Sequence, residues 1–76
     1  IEAIKNPKGE LQELLQAESE EAPTYELLSS TGPDHDREFE VVVKHLGQAL
    51  GQGNGSSKKA AETEAALAAL AKVQDS

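Results

Sequence analysis

The chain has 76 residues, of which 37% are apolar, and 11 of those apolar residues are alanine, so few large side chains are left to build a core. A chain of this size buries only about 60% of its unfolded surface, which excludes a barrel enzyme, a doubly wound sheet or a second domain. It has no cysteine, which rules out disulfides and thiolate metal sites, and no apolar run long enough for a membrane-spanning helix or a secretory leader; its net charge of -7 taken alone argues against a polyanionic partner.

The charge is unevenly placed. Residues 1–40 carry 11 acids and 3 bases, a net of -8, whereas residues 41–76 carry 3 acids and 4 bases, a net of +1. The chain opens at Ile1 without a methionine anywhere, so residues 1–5 read as the end of a linker from a preceding domain, 6–74 as the domain and 75–76 as a tail.

Asn6 suits a helix N-cap and Pro7 the first helical position, and Leu11, Leu14 and Leu15 follow at the spacing of one apolar face. The spacing predicts a helix over 7–17. Gly9, Gln12, Glu13 and Gln16 fall together on its other side, a polar face without positive charge. Glu18, Glu20 and Glu21 read as a solvated loop.

Past Pro23, the run 24–31 is rich in strand-forming residues and stops at Gly32-Pro33. A second strand over 38–45 alternates Phe39, Val41 and Val43 with Glu38, Glu40 and Lys44. A tight turn around 45–47 leads to a third strand over 46–51, after which the glycine-rich stretch 51–57 is expected to break regular structure. Ser56 or Ser57 then caps an alanine-rich helix over 57–74, with Ala60, Thr63, Leu67, Leu70 and Ala71 expected as its buried stripe. The order α-β-β-β-α gives an α+β fold with both helices packed on one face of a three-stranded antiparallel sheet.

The sharpest chemical signal is the run from Gly51 to Lys59. Lys58 and Lys59 occupy a helix start, where the dipole favours acids, and a bound anion offsets that cost. Backbone N–H groups, both ammonium groups and the hydroxyls of Ser56 and Ser57 would together hold a phosphate. The competing reading is a solvated helix start in which Lys58 pairs with Glu62 at i+4. The Walker loop and the dinucleotide fingerprint both fail on spacing, since the serines precede the lysines and position 56 is not glycine. His35, between Asp34 and Asp36, has no second histidine at metal spacing and reads as an exposed loop residue able to donate to a ribose hydroxyl or a groove edge, with Pro33 stiffening its loop. No catalytic constellation is present in the sequence.

Three of these segments resemble the double-stranded RNA-binding domain, most closely the copy that ends bacterial ribonuclease III. Lys8-Gly9-Glu10-Leu11-Gln12-Glu13 is similar to the family's opening helix, and Pro23 and Tyr25 open the first strand in its manner. Gly32-Pro33-Asp34-His35 with Phe39 resembles the family's Gly-Pro-x-His-x-x-x-Phe, and residues 53–61 its Gly-x-Gly-x-Ser-Lys-Lys-x-Ala. The resemblance implies shape-dependent binding of double-stranded RNA. Gly9, Gln12, Glu13 and Gln16 would meet one minor groove, Pro33 and His35 the next, and Lys58 and Lys59, helped by Ser56 and Ser57, the phosphates between them. It further implies a non-catalytic module without its own cofactor or metal, in a cytoplasmic, homodimeric parent endoribonuclease whose separate catalytic domain uses Mg²⁺. Two positions depart from the pattern, Gly9 where threonine is frequent and Glu62 where a third lysine is frequent. The alternative is a protein-interaction or dimerisation module of the same fold, which the acidic first half would suit.

Overall fold

The computed structural model describes residues 6–75 of the chain, so the expected linker end at 1–5 and the final tail residue lie outside the described residues. Helix α1 spans Pro7–Glu18. It starts where the sequence indicates: the Asn6 side chain accepts from the Lys8 N–H at 3.1 Å and the Asn6 carbonyl from the Glu10 N–H at 2.9 Å. Leu11 and Leu15 are buried, but Leu14, expected beside them, is 37% exposed at the margin of the core.

Strands β1 (Thr24–Thr31), β2 (Glu38–His45) and β3 (Gln48–Gly55) form an antiparallel sheet in the order β1-β2-β3. Leu28 is the extra residue of a bulge in β1, which lets Leu27 face Val41 and Ser30 face Phe39 across the same pair of strands. The β2–β3 turn consists of Leu46 and Gly47, both at left-handed φ (55° and 78°), the two-residue geometry that matches strand twist.

The third strand corrects the sequence reading. It runs 48–55, not 46–51, and Gly51, Gly53 and Gly55 lie within it instead of breaking it. The register shows why: these glycines stand opposite Val43, Val41 and Phe39 on the face that meets helix α2 (Lys58–Asp75). A Cβ at Gly53 would run into the Ala65 backbone, and at Gly51 it would lie 2.5 Å from the Ala69 nitrogen. The absence of side chains at these three positions of β3 is what lets α2 lie directly on the sheet.

That approach also corrects the expected buried stripe of α2, of which Leu70 alone is buried; the helix ends at Asp75, assigned to the tail by sequence. Ala61, Ala65, Ala66, Ala69 and Leu70 are buried, whereas Leu67 is 47% exposed, Ala71 is exposed, and Ala60 and Thr63 are half-buried. Sequence periodicity centres the inner face on Leu67 and Leu70; the close approach to the sheet turns it toward Ala61, Ala65 and Ala69, with Leu70 at its edge. Helix α2 covers β2 and β3, and α1 packs against α2. Leu11, Leu15, Val41, Val43 and the α2 alanines close one core, with Tyr25, Phe39, Leu50 and Val73 packed around it.

Candidate nucleic-acid interface

Three polar stations are exposed on this scaffold. The first is the outward face of α1. Gln12, Glu13 and Gln16 are exposed there, and Gln12 Nε2 donates to Gln16 Oε1 at 3.3 Å, which leaves the Gln12 carbonyl and the Gln16 amino group to face outward contacts. Gly9 contributes no side chain, and a cleft of about 640 Å³ opens between it, Asn6, Glu10, Glu13 and Leu14. A Cβ at Gly9 would make only ordinary contact with Asn6, at 3.8 Å, so packing does not require glycine there.

The second station is the β1–β2 loop. Gly32 has φ of 100°, and a side chain on it would strike the Asp36 carbonyl. The Asp36 N–H donates to the Pro33 carbonyl at 2.9 Å, and Arg37 Nη2 donates to Asp34 Oδ1 at 2.9 Å. These bonds brace the loop while leaving His35 exposed. A cleft of about 430 Å³ lined by Asp34, His35, Asp36, Arg37, Phe39 and Ser56 places the loop beside the start of α2. Sequence reasoning passed over Arg37, and its i,i+3 spacing from Asp34 was the available signal.

The third station is the α2 N-terminus. Ser57 is the cap: its Oγ accepts from the Ala60 N–H at 3.1 Å and its carbonyl from the Ala61 N–H at 2.9 Å. The Ser57 hydroxyl proton is left to donate outward, and the N–H groups of Lys58 and Lys59 have no acceptor within the helix. Ser56, Lys58 and Lys59 are exposed, and the first turn of α2 holds no acid. The competing reading, in which Lys58 pairs with Glu62, is not what forms. Glu62 Oε1 instead receives Lys8 Nζ of α1 at 2.6 Å, so among the described residues neither Lys58 nor Lys59 pairs with a carboxylate.

Lys8 Nζ also lies 5.0 Å from the centroid of the Tyr25 ring. Burial and the nearby Glu62 carboxylate raise the Tyr25 phenol above its ordinary value. Sequence reasoning missed this cluster because Lys8 and Glu62 are 54 residues apart and follow no local pattern. His45, the second histidine of the chain, has its Nε2 3.0 Å from the Glu21 carbonyl and 3.2 Å from Ser19 Oγ, fastening the α1–β1 loop to the end of β2.

Comparison with known proteins follows the same outline. The family model described as double-stranded RNA binding motif matches residues 7–73. The Ribonuclease 3 of Bacillus velezensis is 51% identical over 67 residues, covering 88% of this chain and 27% of that protein. The Ribonuclease 3 of Streptococcus pneumoniae (strain Hungary19A-6) is 49% identical over all 76 residues, covering 33% of that protein. The chain therefore spans between a quarter and a third of the curated relatives it matches.

Proposed function

The chain belongs to the double-stranded RNA binding motif family, and on that premise we propose that it grips an A-form duplex at three points and reads shape, not sequence. The observation that carries this reading is the α2 N-terminus: two exposed lysines with no carboxylate partner among the described residues, above free backbone N–H groups, next to the braced His35 loop. The unfavourable placement of Lys58 and Lys59 against the helix dipole becomes favourable once a phosphate lies between them. Ser56 and Ser57 add hydroxyl donors at the same point.

In this reading the α1 face enters one minor groove and the Pro33–His35 loop the next, with the lysines on the phosphates of the major groove between them, a span of about 16 base pairs. Glu13 accepts from ribose 2′-hydroxyls, and Gln12 and Gln16 both accept and donate. DNA offers no such hydroxyl, which accounts for a preference for RNA without base readout. The likeness to Ribonuclease 3 supports a role as the substrate-binding module of a ribonuclease III-like endoribonuclease, presenting a duplex to a separate catalytic portion. We expect that portion to be homodimeric, Mg²⁺-dependent and cytoplasmic. Among the described residues no three acid or histidine side chains come together to hold a metal.

The test is fluorescence anisotropy of the chain with duplex RNA of about 20 base pairs, matched duplex DNA and single-stranded RNA. Preferential binding of duplex RNA is the expected result. Failure to bind any of them at low salt would favour a protein-interaction module instead.

A further inference from the structure

The Lys8–Glu62 ion pair joins the first turn of α1 to the second turn of α2, the two helix starts that carry the first and third stations. It is more than a surface contact. The Glu62 side chain is 18% exposed and that of Lys8 37%, the N–O distance is 2.6 Å, and the ammonium group sits over the Tyr25 ring of β1. The helix dipole opposes a cation there, since Lys8 lies at the positive end of its own helix. The remaining α1–α2 packing is apolar, through Leu11, Leu15 and the α2 alanines, and apolar contact is non-directional. A directed, partly desolvated ion pair supplies what that packing lacks, a fixed offset between the helices.

We propose that Lys8, Glu62 and Tyr25 form a positioning strut that holds the polar face of α1 at a set spacing from Lys58 and Lys59, so that both stations meet an A-form duplex at once. The proposal rests on the duplex-RNA reading above. Lys8 and Glu62 neutralise each other, so the strut acts through geometry and not through charge offered to the RNA. It also gives Glu62, which departs from the family's frequent lysine, a function of its own: a phosphate contact is exchanged for a brace.

A strut that coordinates two stations matters only when both are engaged. The experiment compares wild type with Lys8→Gln, Glu62→Gln and Lys8→Arg on RNA duplexes of about 20 and about 8 base pairs, the shorter only half the span of about 16 base pairs and too brief to present a minor groove together with the phosphates across the adjacent major groove, at several salt concentrations. Lys8→Gln and Glu62→Gln should each lose about tenfold in affinity for the long duplex through lost effective concentration, and stay within about twofold of wild type on the short one. The slope of affinity against salt should not change, and Lys8→Arg, which keeps both the ion pair and the ring contact, should restore binding. Thermal unfolding of each variant confirms that folded protein is compared. If Lys8→Gln does not fold, Glu62→Gln, which removes the charge of the ion pair from its other end at nearly the same side-chain size, decides the question. Wild-type affinity in the glutamine variants overturns the proposal, as does an equal loss on both lengths. A slope shallower by about one in Lys8→Gln would make Lys8 a phosphate contact and overturn it too. Wild type binding no duplex at all is a separate outcome, which overturns the underlying reading.

Discussion

At the scale of single residues, two kinds of charge behave in opposite ways. Lys58 and Lys59 are exposed at a helix start where they oppose the dipole, so their worth lies in what they bind. The double variant Lys58→Ala, Lys59→Ala should weaken duplex-RNA binding by about 1 kcal/mol or more, the scale of lost charge-assisted contacts. Its thermal midpoint should stay level or rise; a falling midpoint with unchanged RNA affinity would reverse the assignment. Tyr25 is the inward-facing case. Its phenol is held above the ordinary 10.0, first by burial and second by Glu62, so the folded state keeps its proton where the unfolded chain has lost it. The stability this contributes is fully present below about pH 10 and is lost as pH rises through the folded-state value. Because the chain has a single tyrosine, tyrosinate absorbance reports this group alone, and its midpoint in the folded protein should lie above 10.0.

At the scale of elements, the contact between β3 and α2 decides the architecture. Two residues of strand advance about 6.8 Å and four of helix about 6.0 Å, so Gly51 and Gly53 keep step with Ala69 and Ala65, and Gly55 meets Ala60 and Ala61. Gly53→Ala should destabilise by about 2–3 kcal/mol or prevent folding, because the methyl group meets backbone that cannot yield. Gly9→Ala, in the first turn of α1 where a methyl group makes only ordinary contact with Asn6, should instead stabilise by up to about 1 kcal/mol. Urea unfolding of the pair separates a packing glycine from a permissive one. In the β2–β3 turn, Leu46 is 66% exposed and sits at φ 55°, which leucine disfavours; Leu46→Asn should raise stability by about 1 kcal/mol in the same assay. What was legible in sequence follows from this distinction. The bounds of β1 and β2 and the start of α1 were readable because Pro23, Gly32-Pro33 and Asn6-Pro7 act on their own neighbours. The glycines of β3 and the inward face of α2 were misread because each is explained only by the other, across the sheet. The Lys58 and His35 stations were legible as local motifs, whereas the Lys8–Glu62–Tyr25 contact belongs to the tertiary fold alone.

At the scale of the whole molecule, a net charge of -7 has to be reconciled with a polyanionic ligand. The reconciliation is one of placement. On the sheet face turned away from the helices, Glu40 accepts from Ser29 and Gln52, and Glu26 pairs with Lys44 at 2.8 Å, so acids there are engaged with neighbours. Lys8, Arg37 and Lys44 are likewise tied to Glu62, Asp34 and Glu26, which leaves Lys58 and Lys59 as the described lysines exposed at the candidate interface without an acid partner. Affinity for a duplex falls with salt in proportion to the phosphates neutralised, so two engaged lysines predict a slope of log affinity against log salt of about -2. Binding titrations from low to physiological salt measure that slope directly. A value near -2 would mean that neutral contacts from the α1 face and the His35 loop supply the rest of the grip, and that the acidic remainder of the molecule discourages any encounter lacking the A-form shape. A slope of about -4 or steeper would mean that the paired cations let go of their carboxylates on the RNA, and the strut between the helices would then be opened by the ligand it was expected to help grip.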